Sequence, residues 1–311
     1  MDGLSGEEEC VVTTVAVVAH ARKSLGKGLA ELRGVLEEAG HPHPLWFEVP
    51  KSRKAPKAMR RAVEEGATLV FIWGGDGMVQ RCVDALAAPE PALAILPAGT
   101  GNLLATSLGI PRDIARAVDI GLNGARRRLD LGVINGERFA VMAGTGFDAI
   151  MVGDSDSHAK ERLGRVAYFW SGLKAMRARR VRMKIRIDDT VWFKGKASCV
   201  LIGNIGTVTG GLVVFPDASP SDGALEVGVV TARGAWQWIR VFSRLIEGGP
   251  HLSPLVDATH AKRIVIKLRR RRSYELDGGI RPAAKRLAVH VEPAAISMCV
   301  PDAVDAEAYA R

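Results

Sequence analysis

Apolar positions along the chain fall into two rhythms. Val11–Ala19 is a β-branched run, too short to span a bilayer and long enough for a buried strand. The spacing then turns helical, with Leu29, Leu32, Leu36 and Ala39 on one face of Lys27–Ala39 and Gly40 as a stop. Leu45–Val49 predicts a second strand. Ala55–Glu65 places Ala55, Met59, Ala62 and Val63 on one helical face, ended by Gly66. Thr68–Trp73 and Ala92–Leu96 are further short apolar runs, with a helix from about Met78 to Leu86 between them. Strands alternating with helices predict parallel pairing in an α/β layer domain.

Past Pro111 and a helix at Asp113–Gly121, short strands take over. Arg128–Val133 and Arg138–Ala143 are joined at Asn135–Gly136, a good hairpin turn. Further strands are predicted at Val181–Asp188, Val191–Lys196, Ala197–Gly203, Ala224–Thr231, Lys262–Leu268, Leu287–Val291 and Ala295–Val300. Helices near Gly164–Arg179 and Gly234–Glu247 interrupt them. This predicts a mostly antiparallel second domain, with the boundary near Gly124–Arg127. The two units are then residues 11–125 and 126–302.

Composition narrows the function classes. Lys and Arg number 43 against 34 Asp and Glu, a formal net charge of +9. That excess suggests an acidic partner: a phosphorylated substrate, nucleic acid or an anionic membrane. With 47% hydrophobic residues the chain supports ordinary cores. No apolar stretch reaches the ~18 residues of a spanning helix. The first ten residues are acidic, unlike the basic start of a signal peptide. Cys10, Cys82, Cys199 and Cys299 lie far apart, which reads as buried or idle thiols in a reducing cytosol. His41 and His43 sit among prolines, in a loop rather than a zinc site.

Two loops carry candidate chemistry. The run Leu69–Trp73 feeds directly into Gly74–Gly75–Asp76–Gly77, and a helix begins at once. Glycines let backbone amides approach a ligand closely, and helix N-termini attract phosphate oxygens. Asp76 could hold Mg²⁺ against a nucleotide's phosphates. A plain strand-to-helix turn would use the same residue types. The next strand makes a similar exit, Pro97–Ala98–Gly99–Thr100–Gly101–Asn102, and two such loops on successive strands are much harder to dismiss as turns. Adjacent parallel strands would put both at the carboxyl edge, where α/β sheets bind ligands. Neither loop is GxxxxGK[ST] or GxGxxG.

GGDG and LPAGTGN, followed by Leu108–Gly109–Ile110–Pro111, resemble the diacylglycerol kinase catalytic-domain family, which includes bacterial lipid kinases and sphingosine kinases. The resemblance continues through Leu129–Asp130–Leu131–Gly132 and Ala143–Gly144–Thr145–Gly146–Phe147–Asp148. It resumes at Phe215–Pro216–Asp217–Ala218, Ser221–Asp222–Gly223 and Leu276–Asp277–Gly278, and so spans about Val11 to Pro301. It implies a nucleotide-binding α/β domain, a β-sandwich-like lipid-substrate domain, and an active site in the cleft between them. The implied reaction is ATP-dependent phosphorylation of a lipid hydroxyl, most simply diacylglycerol to phosphatidic acid.

By the same resemblance, Gly74, Gly75, Asp76, Gly77 and Met78 would face the nucleotide with Gly99, Thr100, Gly101 and Asn102. Asp130 would lie near the reaction centre. Asp222, joined by groups at Ser219 and Ala224, would form a loop for a structural Mg²⁺. Where relatives open with Asn-Pro-x-x-Gly, this chain has His20–Ala21–Arg22–Lys23–Ser24–Leu25–Gly26. The usual Thr after GGDG is Met78, and the usual Asn and Glu are Gln80 and Arg81. Relatives read Asp-Gly-Glu where this chain reads Asp277–Gly278–Gly279, so the Glu taken as general base is missing. Asp277 or Glu275 could substitute, or water could relay the proton. Two alternatives stand beside the kinase: a catalytically weakened nucleotide- or lipid-binding relative, and an NAD kinase-like enzyme.

Basic residues cluster at Lys51–Lys57, Arg126–Arg128, Arg177–Arg182 and Arg269–Arg272. Solvated helix ends and strand edges account for most of them; attraction to an anionic membrane is the functional expectation. No base-stacking or groove-reading motif points to nucleic acid. The helix Gly234–Glu247 mixes Trp236, Trp238 and Ile239 with Arg240 and Arg244; ordinary core is the main expectation, and a part that receives acyl chains or touches the bilayer is the lesser alternative. The expectation is a cytoplasmic, peripherally membrane-associated enzyme whose partner is a lipid at an anionic surface, with homo-oligomerisation left open.

Overall fold

The structure is a computed structural model that describes residues 13–87, 89–146, 180–208, 212–247 and 253–302. The helix expected at Gly164–Arg179, Phe147, Asp148 and Cys10 lie outside the described residues. Four strands, β1 (Val15–His20), β2 (Leu45–Val49), β3 (Leu69–Gly74) and β4 (Ala92–Pro97), pair in parallel in the order β2-β1-β3-β4. Between them run α1 (Leu29–Glu38), α2 (Ala55–Glu64) and α3 (Asp76–Val83), followed by α4 (Leu103–Ser107) and α5 (Ile114–Asn123). β3 and β4 are buried from end to end, as continuous apolar runs covered on both faces must be. In α2 the inward face is Ala55, Ala58, Met59 and Ala62, whereas Val63, expected there, is 40% exposed. Helix α5 starts at Asp113, whose carboxylate accepts from the Arg116 N–H at 2.9 Å. It packs closely on the sheet because Gly121 leaves room for the Phe71 ring.

The second half is antiparallel. It contains β5 (Ala125–Ile134), β6 (Glu137–Phe139), β7 (Met142–Thr145), β8 (Val181–Ile187), β9 (Thr190–Ala197) and β10 (Cys199–Gly203). The short pair β11 (Thr207–Val208) and β12 (Leu212–Val213) follows, then β13 (Leu225–Val230), α6 (Gly234–Glu247) and β14 (Val256–Ala261). The last strands are β15 (Arg263–Leu276) and β16 (Gly279–Val300). Asn135 and Gly136 both have positive φ, 51° and 87°, as the expected tight hairpin requires. A separate core of Met183, Ile185, Val200, Ile202, Val227, Val229, Ile266 and Leu287 fills the sandwich.

Several segments differ from the sequence expectation: β14 and the short pair β11–β12 are strands where none is expected. Leu287–Val291 and Ala295–Val300 are one strand, β16, with a register shift between Glu292 and Ile296. β15 runs on through the basic residues to Leu276, beyond the predicted end at Leu268. Arg138–Ala143 breaks into β6 and β7 at Ala140–Val141. The end of β16 pairs in parallel with β4 at Met298 and Leu93, so a single sheet path runs through both halves. Leu129, Leu131, Ile296, Met298 and Val300 accordingly join the first core. Cys82, Cys199 and Cys299 are buried free thiols, and burial raises the pKa of each.

Candidate active site

β3 and β4 lie side by side and parallel, so the loops that leave them meet. Gly75 and Gly99 touch backbone to backbone: a Cβ on Gly99 would overlap the Gly75 Cα, and one on Gly75 would stand 3.0 Å from the Gly99 Cα. No other residue type permits this approach. Asn102 holds the second loop shut from inside. It is buried and left-handed, with φ 49°. Its Oδ1 accepts from the Gly99 N–H at 2.9 Å, and its Nδ2 donates to the Pro97 and Gly99 carbonyls at 3.0 and 2.8 Å. The Met78 side chain turns inward against Gly74 and is buried in the first core. Met78 and the Asn102 amide therefore shape the loops from beneath, while Gly75, Asp76, Gly77, Thr100 and Gly101 keep exposed surface.

Asp76 links the loops. Its Oδ1 accepts from the Leu104 N–H at 3.2 Å, capping α4 from a different segment of chain. A Cβ on Gly101 would stand 3.1 Å from Asp76 Oδ2. Burial raises the Asp76 carboxyl above the ordinary range, opposed by backbone amides at Leu103 and Leu104. The loop after β1 closes over the same edge, where the Trp73 indole N–H donates to the Lys23 carbonyl at 3.0 Å.

Asp277 comes to this edge from the other half. It occupies the turn between β15 and β16 with φ 44°, followed by Gly278 at 79°. Its carboxylate is buried and accepts from the N–H groups of Ala140, Val141 and Met142 at 2.8, 3.0 and 2.9 Å. Burial pushes the Asp277 carboxyl up to about 7; the three amides oppose this, and the charge of nearby Asp76 adds to it. Asp277 is thus committed to holding the β6–β7 segment. Glu275 is buried in β15, opposite Gly144 and Ile280.

Asp130, in β5, is also buried, and both its oxygens serve as acceptors. Oδ2 accepts from the Gly223 N–H at 2.6 Å and Oδ1 from the Ala294 N–H at 2.8 Å. Its own N–H donates to the Pro220 carbonyl at 2.7 Å. Asp130 therefore pins the Pro216–Ala224 loop to the irregular part of β16. Within that loop Asp222 is exposed and its Oδ1 accepts from the Ala224 N–H at 2.9 Å, while Ser219 Oγ lies 3.4 Å from Ser221 Oγ. Glu226 is raised mainly by burial, with Asp222 and Asp217 adding to the shift. Among the described residues no three His, Cys, Asp or Glu side chains gather as a metal site. The donor set fits a hydrated hard cation held by Asp222 and loop oxygens, since Mg²⁺ keeps several of its waters.

The space beside Gly279, where the resemblance expects a Glu, is occupied. A Cβ on Gly279 would stand 2.5 Å from Arg281 Nη1. The Arg281 guanidinium lies there paired with Glu137 of β6, its Nε donating to Oε2 at 2.7 Å and its Nη2 to Oε1. This partner holds the Glu137 carboxyl below its usual range. Gln80 of α3 is buried between the halves and donates to the Arg138 carbonyl at 2.8 Å and to Glu137 at 3.4 Å. Sequence reading missed Glu137 and Arg281, and no local signal could pair residues so far apart.

Residues 15–134 match the model of the diacylglycerol kinase catalytic domain, and residues 141–300 that of the YegS C-terminal NAD kinase beta sandwich-like domain. The chain is similar to the diacylglycerol kinase of Bacillus subtilis, 29% identical over 83% of this chain and 86% of that one. It is also similar to the diacylglycerol kinase of Mycobacterium tuberculosis, 30% identical over 66% of this chain and 69% of the relative. The crystal structure of a diacylglycerol kinase from Bacillus anthracis shares the fold, with a TM-score of 0.74 and 24% identity over 94% and 98% of the two chains.

Proposed function

The chain belongs to the diacylglycerol kinase catalytic-domain family, and on that footing we propose that it transfers the γ-phosphoryl group of ATP to the free hydroxyl of diacylglycerol. The observation that carries this is the pair of glycine loops in backbone contact, with a partly exposed Asp76 between them. On this reading the backbone amides of Gly75–Gly77 and Thr100–Gly101 bind phosphate oxygens. Asp76 is the only one of Asp76, Asp130 and Asp277 that keeps more than marginal exposure, so it is the carboxylate that can meet a substrate or its metal. Bound Mg²⁺ would neutralise phosphate charge there, and the second ion would sit at Asp222.

Phosphoryl transfer passes through a loose transition state and depends mainly on positioning and charge neutralisation. A general base adds only ~10²–10⁴-fold. A chain that lacks the Glu at position 279 can therefore still turn over. The test is labelled ATP with Mg²⁺ and, in parallel, diacylglycerol in mixed micelles, a sphingoid base or NAD. Label in phosphatidic acid is expected; label only in NADP, or in no product, would defeat the reading.

Gly279→Glu should raise the single-turnover rate, within the ~10²–10⁴-fold of a general base. Arg281 limits the gain: a Cβ at position 279 would meet its Nη1 at 2.5 Å, so the guanidinium must shift from its place beside Glu137. It would then pair with the new carboxylate and lower its basicity. Adding Arg281→Met should release that restraint and raise the rate further. A Gly279→Glu enzyme slower than its parent in both backgrounds would mean that the site is adapted to glycine.

Among the described residues no helix is long and apolar enough to cross a membrane. Peripheral association from the cytoplasmic side is the arrangement that fits an enzyme acting on a bilayer lipid.

A further inference from the structure

In the sheet layer formed by β9, β8, β15 and β16, alternate side chains enter the second core: Met183, Ile185, Ile266, Leu268 and Leu287 are buried. The residues between them are exposed and basic. Register places Lys194 opposite Lys184, Lys184 opposite Lys267, and Lys267 opposite Arg286. Arg182 stands opposite Lys196 in the next row. Directly opposed residues on antiparallel strands project from the same face, so four cations form one line across four strands. Neither row holds a carboxylate. Asp188 and Asp189 lie at the β8–β9 turn: Asp188 accepts from the Arg263 backbone N–H at 2.9 Å, and Asp189 pairs with the Arg263 guanidinium at 3.2 Å.

Like charges directly opposed across strands destabilise a sheet. A line of them costs stability unless something anionic covers it. We propose that this face docks the protein on an anionic lipid bilayer. The inference rests on the lipid-kinase reading, which puts the acceptor in a membrane. A line of cations, one to each of four neighbouring strands, suits a surface of phosphate headgroups. The rows present no ring to stack on bases and no helix to enter a groove, as nucleic acid would require. The other conspicuous surface is Trp236, 76% exposed, with Ile239 on α6. That helix packs through Trp238 and Val241 on Cys199 and Val230, the outer face of the opposite layer. The two surfaces therefore look away from each other, and only one can lie flat on a bilayer.

The test uses the full chain without ATP, sedimented with vesicles of phosphatidylcholine alone or of equal parts phosphatidylcholine and phosphatidylglycerol. Binding is expected only to the mixed vesicles. It should weaken steeply as salt shortens the Debye length from ~10 Å at 0.1 M to ~3 Å at 1 M. K184E/R286E converts the row into alternating signs. Vesicle affinity should fall by at least about 25-fold, at about fivefold per cation removed. The melting temperature at low salt should stay level or rise, because every opposed pair in the row becomes attractive. That rise separates lost docking from lost folding. W236S should bind like the parent.

Unchanged vesicle binding by K184E/R286E, or loss confined to W236S, would overturn the proposal. So would a second copy or duplex DNA bound through the same cations in preference to vesicles. Phosphorylation of detergent-dispersed diacylglycerol should be equal in parent and variant. Failure of that reaction in both, with vesicle binding intact, would sink the kinase reading and leave the docking result standing.

Discussion

Asp76→Ala is expected to lower kcat by ~10²–10⁴-fold, the span of one positioned acid, base or charge-stabilising group. The carboxylate sits between two glycine loops whose backbones touch, and it keeps exposed surface where Asp130 and Asp277 are buried. The same change removes the acceptor for the Leu104 N–H, which costs about 1 kcal/mol of stability at the start of α4. Asp76→Asn separates the two effects. Its amide oxygen can still accept from Leu104, so melting should be nearly that of the parent while activity stays low. Full activity in either variant would remove Asp76 from the reaction.

Asp277→Ala should act on stability instead. It leaves the N–H groups of Ala140, Val141 and Met142 without their acceptor in a buried setting. At about 1–3 kcal/mol for each stranded donor, a loss of several kcal/mol is expected, enough to threaten folding. Asp277→Asn is the milder probe, since its oxygen can serve Val141 and Met142 while its NH₂ opposes the Ala140 N–H.

The sign of the pH dependence follows from burial. In the folded chain the carboxyl is pushed up to about 7, above its ordinary value near 3.9. Between those values the unfolded chain ionises first, so this group's contribution is full below about pH 4 and lost as pH rises through about 7. The melting difference between parent and Asp277→Asn should therefore narrow across that window. A difference independent of pH would mean that the carboxylate stays ionised throughout, held so by its three amides.

Much of the site was legible in the sequence because its parts are local. Glycines around Asp76 and around Thr100 announce two strand exits within one stretch of alternating strands and helices, and parallel pairing puts neighbouring exits on one edge. Asn135–Gly136 announces a tight turn for a similar reason, since the backbone there takes φ values that few residues tolerate; the equally tight turn at Asp277–Gly278 emerges only in the structure. The basic run Arg269–Arg272 concealed the continuation of β15, because exposed charged residues carry no apolar alternation to read.

The roles of the acidic side chains were a different matter. Asp130 and Asp277 fall in family motifs and read as catalytic candidates, yet each spends both oxygens on backbone amides from remote segments. Whether a carboxylate meets substrate or main chain depends on which strands are brought beside it.

By itself the sequence determined most of the element types, the parallel-then-antiparallel plan and the two glycine loops, all set by periodicity and local backbone preference, while β14 and the pair β11–β12 escaped it. Only the tertiary structure decided that Arg281 stands where a side chain at position 279 would begin and pairs with Glu137. It alone aligned Lys194, Lys184, Lys267 and Arg286 into one row. The physical reason is register: a shift of one residue between paired strands moves every side chain to the other face, and no local pattern encodes which distant residue stands opposite.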